Sequence, residues 1–193
     1  MAQIGVALHN YHAIFRSFPP VAVYDTQGQP LLSWRVLILP FLDGQKLYEQ
    51  FHLDEPWDSP HNLPLAAQMP DQFRCPSDRS SKPNATNYLA ISGEGTFFPP
   101  HGIVTTEEVK DGTAMTAIVG EIRSSTIVWT KPEDVVLDDN FVAPGPFSSA
   151  HADRLHFLFG DGTNRFIRDT TDPKTIRALM TISGGEPVDV RDF

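Results

Sequence analysis

Apolar residues change their spacing twice along this chain, from a helical period at the start to strand-like runs after residue 86 and back to a helical period near the end. At the start, Ile4, Leu8, Tyr11 and Phe15 recur at intervals of four, three and four, which places them on one face of a helix over residues 2–16. Phe18-Pro19-Pro20 stops it, because proline disfavours helix in the residue before it. Residues 21–30 read as a polar loop, residues 34–42 as an apolar run broken at Pro40, and residues 45–51 as a short helix. Asp58 or Ser59 can cap a further helix with Pro60 in its first turn. That helix ends before Pro70 and would bury Leu63, Ala66, Ala67 and Met69.

From residue 86 the pattern predicts strands at 87–91, 114–122 and 126–129. Two β-prone runs, 154–159 and 164–168, flank Gly160-Asp161-Gly162-Thr163, a strong signal for a hairpin. Asp172-Pro173 opens a last helix carrying Ile176, Leu179 and Met180, and Gly184-Gly185 stops it. The order predicts an α+β fold in one domain: a helix over 1–18, a loop-rich helical region over 19–85, antiparallel strands over 86–170, and a C-terminal helix and tail over 171–193. The amphipathic first helix is the obvious cover for the sheet.

Length and composition agree with one core, since 193 residues are few for two ordinary domains. Seventeen prolines keep every regular element short. A net charge of −9, with no basic run, excludes a nucleic-acid partner, whose phosphates demand clustered Lys and Arg. The lone Cys75 has no partner for a disulfide, a redox pair or a zinc site, and reads as a small buried hydrophobe. The best apolar run, Val36-Leu37-Ile38-Leu39-Pro40-Phe41-Leu42, is too short to span a bilayer. With no signal peptide visible, the sequence read alone points to the cytosol.

Candidate chemistry is sparse. Asp111-Gly112-Thr113 and Asp161-Gly162-Thr163 echo each other. Aspartate accepting backbone N–H bonds beside a glycine at positive φ makes a tight turn; carboxylates in loops also suit calcium, so Asp111 and Asp161 are the candidate ligands. The ligand spacing of a calcium loop is missing, and turns are the simpler reading. His151, with Asp153 and Asp161, could hold a metal, and the alternative is a partly buried histidine hydrogen-bonded to backbone or carboxylate. His9 and His12 are three apart, a candidate metal pair or a hydrogen-bonding pair against the sheet. No G-x-S-x-G, HExxH or P-loop pattern is present to make Ser148 or Ser149 a nucleophile. Trp34, Trp57 and Trp129 would serve glycan stacking if exposed, and core packing otherwise.

Ile4-Gly5-Val6-Ala7-Leu8-His9-Asn10-Tyr11-His12 running to Phe18-Pro19-Pro20, together with His151 followed after nine residues by Asp161-Gly162, resembles a bacterial family of prepilin-like proteins. That family carries the H-X9-DG signature and is catalogued as domain of unknown function 1559. The resemblance runs on to Gly184-Gly185-Glu186. It implies a pilin-like architecture, with the first helix as the distal part of a longer one whose hydrophobic membrane segment lies upstream. It further implies a location outside the cytoplasm, at the cell surface or in the periplasm, with other pilin-like subunits or a surface assembly as partners. Membrane contact would then run only through that upstream helix. Pseudopilins of secretion systems hold calcium in a C-terminal loop, which keeps calcium as the one cofactor to consider. The expected function is a non-enzymatic head domain of a pilin-like or pseudopilin-like surface protein. The alternatives are an extracellular binding module for glycan or another ligand, and a metal-assisted hydrolase around His151. His151, Asp161 and Gly162 are expected to define structure.

Overall fold

Helix α1 (Ala2–Phe15) leads a computed structural model that describes residues 1–151, 153–186 and 188. Ile4, Gly5, Ala7 and Leu8 are buried, as the helical spacing predicts, and Tyr11 is partly so. Phe15, expected to contact the sheet from that face, is 56% exposed. The last turn runs past the edge of the core, and Phe15 rests on the Tyr11 ring with centroids 4.4 Å apart. Arg16 ends the helix in the left-handed conformation, its N–H bonded to the carbonyl of His12.

The expected polar loop at 21–30 is instead part of a hairpin, β1 (Ala22–Tyr24) against β2 (Pro30–Ser33). Asp25 closes it by accepting N–H bonds from Gln27 and Gln29. Two short helices follow, α2 (Trp34–Leu37) capped by Ser33, and α3 (Gln45–Tyr48). The helix expected before Pro70 is a 3-10 helix over Leu63–Gln68, which buries Ala66 while Leu63 and Ala67 face outward. Tighter winding shifts the side chains off an α-helical stripe, so the spacing argument fails there.

The main sheet runs β5-β3-β4-β6-β7, comprising β3 (Tyr88–Ser92), β4 (Ala117–Glu121), β5 (Val135–Val136), β6 (Arg154–Phe159) and β7 (Asn164–Arg168). All pairings are antiparallel except β3 with β5. β6 and β7 form the hairpin expected around Asp161-Gly162. The expected run 114–122 starts as a 3-10 turn, Thr113–Met115, before the strand. Residues 126–129 contribute only an isolated bridge between Ala85 and Val128, so the third expected strand does not form. Helix α4 (Pro173–Ala178) is capped by Asp172 and buries Ile176, with Leu179 and Met180 buried just beyond it.

Every residue of β3 and β4 is buried, because both faces of the sheet are covered. Ile4 and Leu8 of α1 share one core with Tyr88, Ala90 and Leu158, and α4 shares the other with Leu89, Ile91 and Phe157. A sheet buried twice loses the polar alternation of a one-sided sheet.

Candidate functional site

The two parts of the sequence signature meet. Gly162 has φ +84 in the β6–β7 turn, a conformation that glycine adopts without strain. Its N–H bonds to the carbonyl of Phe159, and Asp161 Oδ1 accepts from both the N–H and the hydroxyl of Thr163. Helix α1 lies directly on this turn. A Cβ on Gly5 would come within 3.0 Å of the Gly162 carbonyl oxygen and 2.9 Å of Leu158 Cδ1, and a Cβ on Gly162 would come within 3.2 Å of the His9 ring. Gly5 and His9, one helical turn apart, therefore straddle Gly162.

His151 is placed differently from the expectation. It is exposed, its N–H bonds to Ser149 Oγ, and its ring meets Phe166 edge to face at 5.7 Å. The partly buried, hydrogen-bonded histidine is His156. A row of four side chains crosses the sheet: Tyr88 on β3, Glu121 on β4, His156 on β6 and Phe166 on β7. Glu121 is fully buried; its Oε2 accepts from His156 Nδ1 at 3.0 Å and from Ser149 Oγ at 3.4 Å, and its Oε1 from the N–H of Ala150 at 3.5 Å. Phe166 stacks on the His156 ring at 4.4 Å. Burial works to raise the Glu121 carboxyl, but hydrogen bonds from His156 and Cys75 outweigh it and hold the group below the usual carboxylate range. Burial also raises the Cys75 thiol, the opposite of an activated nucleophile. Ser149 bonds to Glu121 rather than to His156, so the row lacks a serine aimed at its histidine.

A buried ion pair joins Arg35 to Asp134, 2.5 Å apart and both all but inaccessible. Burial lowers the Arg35 guanidinium and raises the Asp134 carboxyl, and their attraction opposes both shifts. Neither pair was among the expected sites. The available signal was a charged residue inside an apolar run: Arg35 within Trp34-Arg35-Val36-Leu37, and Glu121 within Ile118-Val119-Gly120-Glu121-Ile122. A charge so placed must find a partner.

The candidate calcium ligands are engaged within the protein, Asp161 in its own turn and Asp111 with a distant segment. Asp111 accepts from the N–H groups of Gly184 and Gly185 at 2.7 and 3.0 Å, and Asp161 pairs with Arg165 at 3.5 Å. Among the described residues no three His, Cys, Asp or Glu side chains converge on a metal position. Of the tryptophans proposed for glycan stacking, Trp34 and Trp129 are wholly buried, Trp129 stacked on Phe73 and bonded through Nε1 to the carbonyl of Ala66. Trp57 is half-buried with Lys131 over its ring. Core packing is thus the outcome for Trp34 and Trp129, and the three do not group into a stacking surface.

The surface of α1 is the remaining candidate. Besides its buried face it carries Val6 at 61% and Ile14 at 65% exposure, about two turns apart on its outer side, while Phe15 lies half a turn round from Val6, at the end of the inner face. Among the described residues no helix is long and apolar enough to cross a membrane.

Residues 1–103 match the model of a family described as protein of unknown function (DUF1559). The match covers α1, the short helices and β3, while His151 and Asp161-Gly162 lie beyond it. No curated protein and no solved structure matches the chain.

Proposed function

We propose that this chain, which belongs to the DUF1559 family, is the non-enzymatic head domain of a pilin-like surface protein that works by assembling with other subunits outside the cytoplasm. The observation that carries the reading is the second apolar stripe of α1. A helix that only had to cover the sheet would be polar on its outer side. Val6 and Ile14 instead offer that side to a neighbour, with Phe15 exposed at the end of the inner face, and exposed apolar groups gathered on one element mark contact surfaces. The close seat of α1 on the β6–β7 turn supports the same reading, because it holds the stripe rigidly against the domain.

Single cysteines placed on the stripe of the full-length protein, V6C and I14C, test the assembly. Cys75 is buried and does not compete for the oxidant. Oxidation in intact cells is expected to yield cross-linked dimers through either position, and a membrane-impermeant maleimide is expected to reach a cysteine away from the contact, V142C. Monomers alone after oxidation, or labelling only after lysis, would refute the reading.

A further inference from the structure

Strand β7 ends one side of the main sheet, and among the described residues no strand pairs its outer edge. The ladder with β6 fixes which backbone groups that edge carries. The N–H of Phe159 bonds to the carbonyl of Thr163 at 2.9 Å, and the N–H of Asp169 to that of Asp153 at 3.3 Å. Bonded pairs alternate along antiparallel strands, so Arg165 and Ile167 turn their peptide groups to β6, while Asn164, Phe166 and Arg168 turn theirs outward. The Arg168 carbonyl also accepts from the N–H of Thr171. Such an edge is a template for another strand. The opposite edge is guarded by its shortness, since β5 has two residues. β7 has five in unbroken register, with no proline or bulge. At its centre Phe166 is 38% exposed, backed by the His156 ring and with Arg154 5.9 Å from its centroid.

The occupant follows from the symmetry of this edge. Laid antiparallel on a second copy of itself with Phe166 facing Phe166, the strand sets Asn164 opposite Arg168. All three outward residues of each copy then fall in bonded pairs, and a slip of two residues leaves one of them without a counterpart in the strand. Arginine on an edge commonly repels a second copy, but here no like charges stand opposite each other. Arg165 faces Ile167, and the two Arg168 residues lie on the order of 13 Å apart along the strands. We propose that β7 pairs with β7 of a second copy about a two-fold axis at Phe166, joining two five-stranded sheets into one. The two Phe166 rings cover each other at the centre. The contact uses neither Val6 nor Ile14, so it stands or falls apart from assembly through α1.

Cysteine variants of the whole chain read the register. Asn164→Cys and Arg168→Cys are oxidised mildly at about millimolar concentration, each alone and as an equimolar mixture, because five residues a side make a small and weak interface. Residues in a bonded pair have Cα atoms about 5.5 Å apart, within disulfide range, whereas like positions lie beyond it. The mixture is therefore expected to yield at least about tenfold more disulfide dimer than either variant alone. Cys75 is buried and does not compete. Phe166→Lys added to both variants sets two ammonium groups face to face and should abolish the mixed cross-link, while Phe166→Tyr should keep it. Circular dichroism melts check that each variant is folded, and the register test stands whatever the stability of Phe166→Lys. Equal yields in the mixture and the single samples, no dimer in any of them, or an unchanged yield in folded Phe166→Lys would overturn the proposal.

Discussion

Gly5 of α1 sits against the carbonyl of Gly162 so closely that a Cβ on Gly5 would lie 3.0 Å from that oxygen. One glycine permits the approach of the helix, and the other permits the turn it approaches. Gly5→Val is therefore expected to cost about 1–3 kcal/mol through overpacking, and Gly162→Val a similar amount through strain at positive φ. Because the two residues share one contact, the double variant should lose less than the sum of the singles. Denaturant unfolding of all three proteins gives the cycle, and strict additivity would separate the two effects.

Leu8 and Phe15 were expected on the same helix face but differ in burial. Leu8→Ala should cost about 2–5 kcal/mol, as for a fully buried leucine, whereas Phe15→Ala should stay within about 0.5 kcal/mol. Comparable losses at both positions would mean that the last turn of α1 packs against the domain after all.

His151 and His156 should also part company. His151→Ala removes one edge-to-face contact with Phe166 and is expected to cost less than about 1 kcal/mol. His156→Ala leaves the buried Glu121 without its nearest side-chain donor and should cost about 1–3 kcal/mol. The reverse order in thermal melts would shift structural weight to His151.

Acid should act through Glu121. Its folded pKa lies below the ordinary 4.5, so the unfolded chain binds the proton more readily. The stability this group supplies is present above about pH 4.5 and is lost as pH falls through the folded value. Glu121→Gln should be less stable than the parent at pH 7, with the gap narrowing below pH 4.5. A gap independent of pH would show that the carboxylate charge contributes nothing.

Calcium offers a further check on Asp111. Asp111 spends both carboxylate oxygens on Gly184 and Gly185, so calcium is expected to leave the melting temperature unchanged. Asp111→Ala should lower it equally in calcium and in chelator. A rise of several degrees on adding calcium, absent in Asp111→Ala, would restore Asp111 as a ligand.

Local signals explain which parts of the fold were legible. The spacing of Ile4 and Leu8, the Asp161-Gly162 turn between two β-prone runs, and the Asp172-Pro173 helix start each act within a few residues, and each element began where expected, although α4 ends at Ala178, short of the expected stop at Gly184-Gly185. The β1–β2 hairpin was hidden because Asp25 closes it through side-chain bonds within a polar stretch. The strand expected at 126–129 failed because β-prone composition cannot supply a partner, and only Val128 found one. At the candidate sites, the signature histidine drew attention to position 151. The buried partnership belongs to His156, five residues on, and only the pairing of β4 with β6 brings it to Glu121.

The docking of α1 on the β6–β7 turn has a consequence for synthesis. The helix leaves the ribosome well before the turn that receives Gly5 and His9, which is made of residues around 162. Until those residues emerge, Ile4 and Leu8 have no complete seat, and both apolar sides of the helix face water together. Contacts between such distant parts of a chain form slowly, and exposed apolar surface invites association in the meantime. The nascent domain should therefore need a holdase, or a membrane to rest its first helix on, until its last hairpin closes.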